Sequence, residues 1–303
     1  MAVVHSSIRT IGIPRTLFYY KHPGLWETFF TRLGFSVVLS GNTTVSMLET
    51  GSRIADSESC VSCKIFSGHC AELISKSVDA LLIPRYLSIR KGFVSCPRLY
   101  ALNDIVAHEF EPAPRIISPC IDANNQSLYS SLFAAGFSLT KNAVRIHRAI
   151  AAAKRALRAH AKTGFDHYRS LAASSNPRIL LVGHPYVLHD RFSNHDIPGM
   201  LSSLGMTAVP VDDVPPNHTA GSHTDGWDFM DDILRRTTAA YVDGIHGVLQ
   251  LSTFNCGCDS VMKVLLERQC REFTIPYMPL VLDEHTSDAA IQTRVEAFID
   301  SVF

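Results

Sequence analysis

The sequence has no surplus of charge. Lys and Arg number 28, Asp and Glu also 28, and charged residues make up only 18% of the 303 positions. A nucleic-acid-binding surface normally shows as a basic excess, so that class is set aside. Near-neutrality gives little self-repulsion, which leaves a homodimer open. No apolar run reaches the roughly 20 residues needed to span a bilayer. Met1–Thr10 holds no continuous apolar stretch of the kind a secretory signal needs. The chain therefore reads as cytoplasmic, with no membrane partner. The phosphate loop Gly-x-x-x-x-Gly-Lys-Ser/Thr is missing as well, so any ATP used would be bound by a partner.

Hydrophobic residues make up 46% of the chain, enough for a sizeable core, and 303 residues suit two domains or one large α/β unit. The first segments read as a strand at Arg9–Pro14, a helix from about Pro23 to Leu33 stopped by Gly34, and a strand at Phe35–Leu39. The same order returns later: a strand at Arg178–Val182 ending in Gly183-His184-Pro185, a helix from Ile197 to Leu204, Gly205, and a strand at Thr207–Val211. Further strands are expected at Val78–Pro84, Val242–Leu251, Arg115–Pro119 and Ile275–Leu282. The alternation predicts an α/β protein of two Rossmann-like lobes with parallel sheets, pseudo-duplicated, around a crevice. The expected division is an N-terminal lobe (1–140), a helical connector (141–175) and a C-terminal lobe (176–303). Pro215–Gly226 reads as a polar surface loop.

Eight cysteines in a reducing compartment need an explanation other than disulfides. Cys96, Cys120 and Cys256 each follow a predicted strand, where ligands of open α/β sheets gather. Cys60 and Cys63 lie at the start of one predicted helix, and Cys256 and Cys258 at the start of another. A helix N-terminus favours thiolate, the usual ligand of iron–sulfur clusters. Gly257 would allow close backbone approach to a cluster. Six cysteines at loop positions, split between the halves, therefore predict a metal cluster held by Cys60, Cys63, Cys96, Cys120, Cys256 and Cys258. A free cysteine is often only a buried space-filler, and Cys70 and Cys270, inside helical patterns, fit that description. A redox dithiol at Cys60-x-x-Cys63 and a zinc site are the competing readings.

Several motifs together resemble a known family. They are Ile11-Gly12-Ile13-Pro14-Arg15, the run Cys60–His69, Leu82-Ile83-Pro84-Arg85, Cys96-Pro97, Gly183-His184-Pro185-Tyr186, Phe254 to Ser260, and Leu282-Asp283-Glu284-His285-Thr286. The chain resembles the acyl-CoA dehydratase activase-related family, which is similar to the cluster-bearing component of 2-hydroxyacyl-CoA dehydratases and benzoyl-CoA reductases and to double-cubane cluster proteins. The resemblance implies an iron–sulfur cluster fed with low-potential electrons by a separate ATP-hydrolysing activase carrying its own 4Fe–4S cluster. It implies reduction or dehydration of a small substrate. The cluster would be an 8Fe–9S double cubane, three cysteines to each cubane, or a single 4Fe–4S cluster with Cys63 and Cys258 spare. The alternative role is a non-catalytic electron-transfer or cluster-carrying subunit.

Three histidines complete the candidate site. His69, His184 and His285 lie in these motifs and could deliver protons near neutral pH. The bland reading of each is a hydrogen-bonded structural histidine. Arg15 and Arg85, each after a strand and a proline, could face cluster charge or an anion, or form ordinary salt bridges. Asp283 and Glu284 could orient His285 or cap the next helix.

Overall fold

The computed structural model describes residues 8–216 and 226–303. Most of the polar segment expected over Pro215–Gly226, and most of Met1–Thr10, lie outside the described residues. The protein is mixed α/β. Its strands are β1 (Thr10–Ile13), β2 (Ser36–Leu39), β3 (Ala80–Leu82), β4 (Arg85–Ser88), β5 (Ile116–Ile117), β6 (Cys120–Asp122), β7 (Arg178–Val182), β8 (Thr207–Pro210), β9 (Gly247–Thr253) and β10 (Tyr277–Leu282). Every strand pairing is parallel. The chain divides into two compact units, Met1–Ser57 with Cys63–His160, and Glu58–Ser62 with Ala161–Phe303. No helix among the described residues is long and apolar enough to cross a membrane.

The first unit holds a sheet in the order β2-β1-β3-β5 and a small pair, β4-β6. Its centre is β1, with Ile11 and Ile13 fully buried. The Leu25–Leu33 helix buries Leu25, Trp26, Phe29, Phe30 and Leu33 on one side. Gly34 ends it in the left-handed conformation, φ 91°, its N–H donating to the Phe30 and Thr31 carbonyls. The chain then returns as β2, in register with β1 from Thr10↔Ser36 to Ile13↔Leu39. Two further helices, Val45–Ile54 and Val61–Ser75, cross at glycines. A Cβ on Gly51 would lie 1.7 Å from the Lys64 carbonyl oxygen, and one on Gly68 would lie 2.0 Å from that of Met47.

His22 also belongs to this unit. Its ring stacks on Tyr86 at 5.5 Å, and its Nδ1 is 2.7 Å from the Tyr86 hydroxyl. Burial first, and then the charge of Lys21, lower its pKa to about 3. The unfolded chain takes up this proton near the ordinary histidine value, and the folded chain only near the lowered one. Stability present at neutral pH is therefore lost as pH falls between the two. In urea titrations from pH 7 to pH 4, His22→Gln is expected to lose less stability than the wild type. Parallel pH profiles for the two would contradict this.

The second unit holds a sheet in the order β10-β9-β7-β8. Numbered by appearance within its own sheet, each four-stranded sheet runs 2-1-3-4. Every residue of β9 is buried, as expected of a central parallel strand covered on both faces. The strand expected over Val242–Leu251 is shorter. Asp228–Val242 is a helix, Gly244 turns the chain at φ 76°, and β9 begins only at Gly247. Phe229, Ile233, Leu234, Thr237, Ala240 and Tyr241 are buried at helical spacing, while Val242 is 77% exposed on the far side. The apolar run thus combined the end of a helix with a strand.

Candidate metal centre

None of the eight cysteines is in a disulfide. In the first unit, Cys63 is buried in the Val61–Ser75 helix, and Cys96 is the N-cap of the Pro97–Glu109 helix. Cys120 opens β6, opposite Arg85. Burial, and then the carboxylate of Asp122, push the Cys120 thiol up from its ordinary value. Arg85 is committed elsewhere: its Nη2 lies 2.6 Å from Asp104, and its guanidinium sits over the Tyr100 ring. Arg15 donates to the Asn42 side-chain oxygen at 2.7 Å. His69 is fully buried, its Nδ1 2.8 Å from the Ser40 hydroxyl and its Nε2 3.0 Å from that of Thr43. This is the arrangement of a structural histidine tying a helix to a loop.

Cys70 and Cys270 are buried inside helices. Burial raises both thiols, that of Cys270 to about 11, and its sulfur lies 3.1 Å from the Tyr241 hydroxyl.

In the second unit, a group of side chains assembles at the carboxyl end of the sheet. After β9 the chain passes through Asn255, in the left-handed conformation at φ 64°, to Cys256, the N-cap of the Gly257–Glu272 helix. Three hydrogen bonds hold the Glu58–Ser62 segment, and with it Cys60, against this turn. The Asn255 side chain donates to the Glu58 carbonyl at 2.7 Å, the Val61 N–H donates to the Phe254 carbonyl at 3.3 Å, and the Ser62 and Thr253 hydroxyls are 3.2 Å apart. From β7, Gly183 brings the chain so close to β9 that a Cβ there would lie 2.6 Å from the Leu251 carbonyl oxygen. His184 follows as the N-cap of the Pro185–Leu188 helix. Its ring is fixed between the stacked Tyr186, 4.9 Å away, and the edge of Phe229, 5.5 Å away.

Asp259 stands three residues after Cys256, one turn along on the same helical side. It is 1% exposed. His184 Nε2, Cys256 Sγ and a carboxylate oxygen of Asp259 all lie within 4.8 Å of one another. Asp259 Oδ1 is 3.2 Å from His184 Nε2 and its carboxylate faces the Cys256 thiol; beyond these two, neither oxygen has a hydrogen-bond partner among the described residues. A buried carboxylate is ordinarily paired or metal-bound, because leaving it unsatisfied costs several kcal/mol, roughly 1–3 or more.

The helix N-terminus does not make Cys256 a ready thiolate. Burial, then the Asp259 carboxylate, with Cys60 acting in the same direction, push its pKa well above the ordinary thiol value. Desolvation and a neighbouring negative charge outweigh the partial charge of the helix end. A cation between Cys256 and Asp259 would remove the penalty, since ligand thiols are deprotonated as metal binds. A Cβ on Gly257 would meet nothing within 4 Å, so the turn beside Cys256 borders open space. Thiols, an imidazole, a buried carboxylate with no partner outside this group and that opening fit a thiophilic metal group.

Cys258 is buried in the first turn of the same helix. His285 is exposed and stands outside the His184–Cys256–Asp259 group. Its N–H donates to Asp283 Oδ1 at 2.8 Å in a turn that the Thr286 hydroxyl also closes, and Ser287 caps the following helix. Asp259 falls inside the Phe254–Ser260 motif, but sequence alone does not single it out. The available signal was its Cys-x-x-Asp spacing across a predicted N-terminus.

Residues 10–214 match the family model described as the CoA enzyme activase uncharacterised domain. Cys256, Cys258 and Asp259 lie beyond the matched span. No curated protein matches the chain. Among solved structures, the C-terminal domain of glucosamine-fructose-6-phosphate aminotransferase from Francisella tularensis is 12% identical. It covers 97% of this chain and 83% of its own, with a TM-score of 0.25, too low to bear on fold or function.

Proposed function

We propose that this chain, which belongs to the family of the CoA enzyme activase uncharacterised domain, is an iron–sulfur protein that accepts low-potential electrons from a separate ATP-hydrolysing activase. The observation that carries the reading is that the segment bearing Cys60 is held by hydrogen bonds against the turn bearing Cys256, at the start of the Gly257–Glu272 helix and beside the open space at Gly257. Iron–sulfur clusters are bound by cysteine thiolates, and the sequence holds six in this class of position. In this reading Cys60, Cys63, Cys96, Cys120, Cys256 and Cys258 ligate an 8Fe–9S double cubane. When bound, the cluster stores the electrons that the reduction or dehydration of a small substrate requires, as in the 2-hydroxyacyl-CoA dehydratase components whose motifs the chain resembles. The protein's own part is to hold the sulfurs and keep water from them. The buried Cys63 and Cys258 suit that part, because exclusion of solvent is one of the factors that set a cluster's potential.

The test is electron acceptance. The anaerobic chain would be mixed with an ATP-hydrolysing activase carrying its own 4Fe–4S cluster, a reductant and MgATP. Its visible absorption is expected to bleach and a paramagnetic signal to develop, both only with ATP present. Equal bleaching without ATP would remove the activase from the account.

A further inference from the structure

We propose that Cys256, the carboxylate of Asp259 and Nε2 of His184 form a mononuclear divalent-metal site, a thiolate–carboxylate–imidazole ligand set within the second unit. It goes beyond the preceding reading and shares only Cys256 with it: a cubane iron is already filled by three core sulfides and one thiolate, so a single ion held by these three side chains is an alternative occupant at that thiol.

Geometry carries it first. The three donor atoms lie within 4.8 Å of one another. Around a tetrahedral metal with the usual bond lengths of about 2.0–2.3 Å, neighbouring donors are about 3.5 Å apart, so side-chain adjustments alone would close the set. The His184 Nε2 to Asp259 Oδ1 distance, 3.2 Å, is already in that range.

Asp259 supplies the second, independent argument. It is 1% exposed, and beyond His184 and Cys256 neither of its oxygens has a hydrogen-bond partner among the described residues. Asp259 is also not the capping residue, since the N-cap of this helix is Cys256. The third argument is rigidity. His184 is stacked on Tyr186 with the ring planes 8° apart and meets the edge of Phe229, so its imidazole is held in place without the metal.

Mixed ligands of this kind suit zinc or ferrous iron, and the set leaves a coordination position for a further sulfur or an exogenous ligand. Cobalt(II) is a spectroscopic stand-in for either. The full chain, prepared anaerobically without iron, would be titrated with Co2+. The readouts are the thiolate-to-cobalt band in the near ultraviolet and the visible bands of tetrahedral cobalt. The wild type is expected to saturate at about one Co2+ per chain with both signals. Cys256→Ser should abolish the thiolate band. Asp259→Asn and His184→Gln should each weaken binding at least 10-fold, roughly the least that removing even a partner of a ligand costs. Asp259→Glu should restore part of it, and unchanged far-ultraviolet circular dichroism would show that the variants fold.

Cobalt bound with wild-type affinity and spectrum by Asp259→Asn and His184→Gln, but lost in Cys256→Ser, would overturn the proposal and leave the cysteine reading standing. Failure of the folded wild type to bind cobalt would overturn it as well. The expected cobalt behaviour in a chain that carries no sulfide when isolated anaerobically would support this ligand set while removing the iron–sulfur reading.

Discussion

Gly68→Ala is expected to cost the first unit at least about 3 kcal/mol, the upper part of the usual range for overpacking. A methyl group there would sit 2.0 Å from the Met47 carbonyl oxygen, and at Gly51 it would sit 1.7 Å from that of Lys64. The atoms in the way are backbone, so no side chain can swing aside. The Val45–Ile54 and Val61–Ser75 helices would have to separate. The gain in helix propensity from glycine to alanine, about 1 kcal/mol, is too small to offset this. Separation would also strain the hydrogen bonds from His69, the next residue, to Ser40 and Thr43. Gly257→Ala is the matched comparison. Nothing lies within 4 Å of its added methyl, so stability should hold or rise by about 0.5–1 kcal/mol. Urea denaturation reads both. Equal midpoints for Gly68→Ala and the wild type would mean that the two helices are not packed through their glycines.

Cysteine replacements should sort into two classes by metal content. Cys60→Ala and Cys256→Ala are expected to lose most of the iron and sulfide, because these two thiols flank one turn held by the hydrogen bonds at Asn255 and Val61. Cys70→Ala and Cys270→Ala should keep both and lose stability instead. Each is a buried helix residue, and Cys270 is also hydrogen-bonded with the Tyr241 hydroxyl. The cost of such a truncation is about 1–3 kcal/mol. Cys63→Ala and Cys258→Ala separate the two cluster types. With a double cubane, each should lower iron by up to about half. With a single 4Fe–4S cluster, neither should. The measurement is anaerobic iron and acid-labile sulfide on each variant, alongside urea midpoints. Iron retained by Cys256→Ala and lost by Cys270→Ala would invert the assignment.

Parts of this structure were legible because local signals agreed with one another. The first strand, the helix stopped at Gly34 and the return strand could be read in order, since burial period, glycine and apolar run coincide there. The same agreement marks β7, Gly183 and β8. Where two elements shared one apolar run, as at Val242, the boundary was hidden until the exposure of Val242 and the turn at Gly244 showed it. The Pro97–Glu109 helix gave little warning because Leu99, Leu102 and Val106 are its only buried apolar positions. Cys256 and His184 could be named from their places after strands. Asp259 could not, because an aspartate in a first turn looks the same whether it caps the helix or is buried against a thiol. The direction of the Cys256 pKa was also misjudged. Helix ends are visible in a sequence, whereas the desolvation that outweighs them depends on Asp259 and Cys60, which the fold sets nearby.

The central claim is that this chain holds an iron–sulfur cluster, and the most direct measurement is iron, zinc and acid-labile sulfide per chain in protein purified without exposure to oxygen. The account predicts iron and sulfide in nearly equal amounts, with visible absorption that air destroys. Zinc with neither iron nor sulfide would contradict it.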